Sequence, residues 1–200
     1  MKLEILAKRQ PRKIISYKLN GPAQLLENEW QVVRFSTQED EASGVRDLPA
    51  GKLILPFAWW ISNANNSEVM TRALQGDIGV WFSAEDDVAA HAEVIHAGKK
   101  FWSLMAVDFP IFKDGRGFST ATLLRERLAW VGEIRAIGDV LVDQLLQMAR
   151  VGFDAFELRE DQDLNLGLKQ FGLYSVTLQN SWRIKRSSIA TLPDATGLSL

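Results

Sequence analysis

Cysteine is absent from this chain of 200 residues. That excludes disulfides, thiolate zinc sites, cysteine-held iron–sulfur clusters and a cysteine nucleophile. A reducing compartment is permitted. Histidine is nearly absent: His91 and His96 sit together in one helix-like run before Lys99. The expected order of elements places them far from the strand C-termini, so no histidine-dependent mechanism is expected. No charge sign dominates. The net charge of −2 argues against a general nucleic-acid binder. No apolar run reaches ~18 residues and no basic-then-apolar leader opens the chain. The expectation is a soluble, cytoplasmic protein without membrane contact. Gly-x-Ser-x-Gly, HExxH, EF-hand and Rossmann motifs are also missing. No cofactor is therefore implied by motif, and flavin or nicotinamide binding has no support of that kind.

What is present suits one globular domain with a substantial core: 46% hydrophobic and 24% charged residues. Lys2, Lys8, Arg9, Arg12, Lys13 and Lys18 make the N-terminus basic, against Glu4 alone. A solvated tail or first hairpin accounts for them, with an interaction arm as the alternative. Trp59-Trp60 reads as core, with a partner surface as the alternative.

Residues 1–50 read as an N-terminal β extension and loop. Ile14, Ile15 and Tyr17 form a short strand, and Trp30 to Phe35 alternates like a half-buried one. Thr37 to Arg46 is polar and loop-like. From Lys52 the pattern becomes rhythmic. Strands are predicted at Leu53–Phe57, Ile78–Phe82, Trp102–Phe109, Glu133–Ile137, Phe153–Leu158 and Tyr174–Leu178. Helices are predicted at Asn63–Leu74, Ser83 or Glu85 to Ile95, Ser119–Trp130, Asp139–Arg150 and Asp163–Phe171. That rhythm calls for an α/β domain over 51–182, with a mainly parallel sheet of about five to six βα units. A loose tail over 183–200 follows. Both an incomplete βα barrel and an open sheet satisfy the pattern. Glu133, Arg135, Glu157 and Arg159 interrupt strands that would be apolar if covered on both faces. A barrel-like concave face or a water-facing edge would hold them.

The strand C-termini of a parallel sheet share one edge, where ligands sit. Asp108, Asp139 and Arg159 fall there, with the loop Asp114-Gly-Arg-Gly117. Arg116, Gly117 and the helix opening near Ser119 could receive an oxyanion; a tight turn with Arg116 paired to a local acid is the simpler account of them. Asp139 suits a helix N-cap. It and Asp108 are also the candidate acid–base carboxylates. Asp143 and Gln144 follow close behind, and Asp139, Asp143 and Asp108 could offer oxygen ligands to Mg²⁺, but no metal site is assigned. Arg125 lies in a charged run that reads as helix surface.

The segments VDFPIFKDGRGFS, LLRERLAWVGEIRAIGDVLVDQL and GFDAFELRED resemble a bacterial family of unknown function. Its members commonly carry the label of an oxidoreductase involved in sulfite reduction and tend to be encoded beside the sulfite reductase haemoprotein. Asp114, Arg116, Gly117, Arg125, Arg135, Gly138, Asp139, Asp143, Gln144, Phe153, Asp154 and Phe156 are motif positions without assigned roles. The resemblance implies a part in sulfur assimilation, with sulfite reductase as the implied partner. The missing cysteines exclude a self-contained sulfite reductase. Three readings follow: an accessory protein of assimilatory sulfite reduction, a small-molecule enzyme with an oxyanion site at the strand C-terminal edge, or an anion sensor without chemistry.

Overall fold

A computed structural model describes residues 13–18, 21–35 and 48–173. Eight strands there form one sheet that curls into a half-barrel. They are β1 (Lys13–Ser16), β2 (Gln24–Glu27), β3 (Trp30–Val32), β4 (Lys52–Pro56), β5 (Ile78–Phe82), β6 (Leu104–Phe109), β7 (Glu133–Gly138) and β8 (Ala155–Phe156). Their spatial order is β2-β1-β8-β7-β6-β5-β4-β3. Strands β3 to β8 run parallel, while β1 pairs antiparallel with both β8 and β2. The sheet is thus mostly parallel, as the rhythm predicts. The N-terminal segment supplies both its edges, one through the β1–β2 hairpin and the other through β3.

Six α-helices connect the strands among the described residues: α1 (Phe57–Asn63), α2 (Ser67–Leu74), α3 (Ala92–Gly98), α4 (Arg116–Thr122), α5 (Leu145–Val151) and α6 (Leu164–Gln170). Strand periodicity sorts the apolar side chains onto two faces. Leu53, Leu55, Ile78, Val80, Phe82, Met105, Val107, Phe109, Ile134 and Phe156 pack with helix residues such as Trp59, Val69, Leu145 and Met148. Each fully buried side chain of this size stabilises the fold by about 1.5–3 kcal/mol relative to exposure. The opposite, inner face carries a smaller cluster built only from strand residues: Val32, Ile54, Leu104, Ala106 and Ile137, bordered by Trp30 and Trp81. Trp59 and Trp60 are both buried, so the core reading holds for them.

Several helix boundaries differ from expectation. Helix α4 opens at Arg116, and Ser119 is an exposed residue inside it rather than its cap. Its last turn widens into a π-turn over Leu123–Arg127. Asp139 caps no helix: a 3₁₀ turn begins at Val142 and α5 at Leu145. The helix expected from Ser83 or Glu85 starts only at Ala92, because Asp86 and Asp87 accept backbone N–H groups and hold residues 83–90 in turns. The true side-chain caps are Asn66 and Asp163. Strand β2 is short and mostly exposed, so it carries no periodic signal. The predicted strand at 174–178, the loop at 37–46, the tail after 182 and most of the basic N-terminus lie outside the described residues.

Candidate functional site on the inner face of the half-barrel

Alternation places Asp108, Arg135 and Glu157 on the inner face, each with neighbours on either side that point into the helix-packed core. Register brings them together. Trp81 pairs with Ala106 and Ala106 with Arg135, while one step on Asp108 pairs with Ile137. Glu157 lies one residue beyond the last β7–β8 pair, its N–H donating to the Ala136 carbonyl at 2.9 Å.

Arg34 completes the group. The Trp81 indole N–H donates to the Val33 carbonyl at 3.0 Å and fixes the chain just after β3. The Arg34 guanidinium then lies over the Trp81 ring at 5.1 Å. It forks onto Asp108, Nη1 to Oδ2 at 3.0 Å and Nη2 to Oδ1 at 2.5 Å. A planar guanidinium gripping both carboxylate oxygens is the strong form of such a pair. Gly138 makes room for it. This residue has φ +94°, and a Cβ there would lie 2.4 Å from the Phe109 carbonyl oxygen and 2.6 Å from Asp108 Oδ1. The Gly138-Asp139 step in the motif therefore serves the carboxylate of the neighbouring strand.

Arg135 is buried. Its Nε donates to Glu133 at 2.9 Å and its Nη1 to the Asn28 side-chain oxygen at 3.0 Å. The Asn28 amide N–H₂ donates to Glu157 Oε2 at 3.3 Å. Glu157 is 8% exposed and has no ion pair among the described residues. Burial pushes its carboxyl above the usual carboxylate range, against the opposing pull of Arg135, Asn28 and Arg34. Two guanidiniums and three carboxyls thus share this face. Asp108 and Glu133 are matched by the arginines, and Glu157 is the acid left over.

The remaining predicted positions lie elsewhere. Arg116 pairs with Asp114 at 2.7 Å and Glu85 at 2.7 Å. Gly117 packs against the sheet, where a Cβ would meet the Phe109 ring at 2.7 Å. Asp139 Oδ2 accepts the Phe112 N–H at 2.8 Å and its Oδ1 accepts Arg159 Nη1 at 2.7 Å. Arg159 also holds the exposed Asp161 carboxyl down to about 2. Gln144 donates to the Phe112 carbonyl at 2.7 Å. Asp143 is exposed on the 3₁₀ turn. Asp108 and Asp139 therefore have separate partners. Among the described residues no three His, Asp or Glu side chains stand together as a cation site.

Arg125 is not helix surface. It is buried, paired with Asp154, and donates to the carbonyls of Trp130, Gly132 and Gly152 at 2.7–2.9 Å. No sequence motif marks Arg34, Asn28 or Trp81 as site residues. For Arg34 the available signal is the alternation Val33-Arg34-Phe35, which puts it on the face opposite two apolar neighbours.

A family profile described as "Bacterial protein of unknown function (DUF934)" matches residues 79–188. The chain belongs to this family. The matched span holds Trp81, Asp108, Arg135 and Glu157, whereas Asn28 and Arg34 precede it. No curated protein and no solved structure matches the chain. Among the described residues no helix is long and apolar enough to cross a membrane.

Proposed function

We propose that this DUF934 protein is a cytoplasmic accessory component of assimilatory sulfite reduction. In this reading it works in contact with the sulfite reductase and does not carry the redox centre. The resemblance of the 107–160 motifs to proteins given that label supports the pathway. One structural observation supports a contact role. The motif residues Asp139 and Gln144 grip Phe112 from both sides, through its N–H and its carbonyl. The loop so clamped holds Ile111 and Phe112 out to solvent, 53% and 43% exposed. Adjacent apolar side chains held outward on a fixed loop are suited to contact with a partner.

The test is growth of a deletion strain on sulfate, sulfite, sulfide or cysteine as sole sulfur source. Failure on sulfate and sulfite with growth on sulfide places the protein at the sulfite step. Equal growth on all four removes the pathway reading. Complementation with the double variant Ile111→Asp, Phe112→Asp then examines the contact. This variant is expected to fold and to fail in rescue. Full rescue would move the contact surface elsewhere.

A further inference from the structure

We infer that the inner face of the half-barrel is a binding site for a small oxyanion, with Arg34 and Arg135 as its charge and Glu157 as the buried acid beside them. The inference stands apart from the sulfur reading, since it needs only the side chains on this face.

The argument begins with charge. Arg34 is matched by Asp108 and Arg135 by Glu133. With Glu157 protonated the five groups sum to zero, so an incoming anion meets no net repulsion. With Glu157 ionised the sum is −1 and an anion is opposed. Burial already favours the protonated form, and the groups facing it are Arg34, Arg135, Asp108 and the Asn28 amide. A protonated carboxyl is a donor.

Hydrogen-bonding capacity points the same way. Arg34 uses its two terminal nitrogens on Asp108, and its Nε–H has no acceptor among the described residues. A guanidinium offers more N–H groups than either arginine uses on its protein partners. A partly exposed guanidinium with an unused N–H beside this face is a group suited to receive an oxyanion. Access exists on the Arg34 side, where the side chain is 28% exposed and Trp81 is half-buried. The surrounding Val32, Ile54, Ala106 and Ile137 lower the local dielectric and strengthen each contact. Binding an anion beside Glu157 raises its proton affinity further, so binding takes up a proton.

Titration calorimetry on the full chain tests this with sulfate and formate, neither of which changes charge between about pH 5 and 8. The two separate a tetrahedral from a planar oxyanion. Binding of at least one is expected, weakening as pH rises, with uptake of up to about one proton per anion, read from buffers of different ionisation enthalpy. Arg34→Gln is expected to weaken binding roughly tenfold or more. Glu157→Gln, still a neutral donor, is expected to keep binding and lose its pH dependence. Circular dichroism checks that both variants are folded. Absence of binding by both anions at millimolar concentration overturns the site. An unchanged pH dependence in Glu157→Gln overturns the role of that carboxyl.

Discussion

Arg125 shows how far a buried side chain can differ from its appearance in the sequence. Leu124-Arg125-Glu126-Arg127 looks like a charged helix surface, yet Arg125 is a buried residue of the π-turn and joins Asp154 to three loop carbonyls. Replacing it by Met would remove the charged partner of Asp154 and the side-chain donor to three carbonyls. A loss of about 3–5 kcal/mol is expected, measured by urea unfolding. At Gly138 the backbone has φ +94° and no space for a Cβ. Gly138→Ala is expected to cost ~1–3 kcal/mol and to disturb the Arg34–Asp108 pair. Glu157 gives a pH prediction. Its folded pKa is raised above the unfolded value, so its contribution is fully present below the unfolded pKa and is lost as pH rises through the folded one. Glu157→Gln should therefore gain stability relative to the native chain as pH rises from below to above the ordinary carboxylate range, seen as a rising difference in urea midpoints. An unchanged difference would mean that Glu157 titrates as an ordinary surface acid.

Elements end where side chains capture backbone groups. Asn66 accepts from Glu68 and Val69 N–H, and Asp163 from Asn165 and Leu166 N–H. Asn66→Ala and Asp163→Ala are each expected to cost ~1 kcal/mol in thermal or urea unfolding. Ser119→Ala should fall within about 0.5 kcal/mol, because Ser119 is exposed inside α4. Asp139 acts on a loop instead of a helix. Asp139→Ala is expected to speed amide exchange at Phe112, whose N–H it holds, while exchange in α5 stays slow. Apart from β2, the strand positions are legible because period-2 patterns and Gly-bearing turns mark them in sequence. The helix starts were less so, since Asp and Ser read alike whether they cap a helix, hold a turn or grip a distant loop.

At the scale of the molecule the N-terminal strands close both ends of the sheet, β1 against β8 and β3 against β4. A chain beginning at Leu48 would expose two strand edges and lose buried Ile15 and Val33. It is expected to aggregate or to unfold without a cooperative transition, checked by size-exclusion chromatography and calorimetry. The α/β class, the mostly parallel sheet, the apolar core positions and the family could all be read from residue order. Each rests on local periodicity or on contiguous motifs, which the chain carries along its length. The curl of the sheet, the burial of Arg125 and the meeting of Arg34 with Asp108 could not. Those depend on strand order and register, which bring residues 74 positions apart within hydrogen-bonding distance. The balance of two guanidiniums against three carboxyls on the inner face exists only once that register is formed. Charge pairing acts through space, and only the folded sheet decides which charges are neighbours.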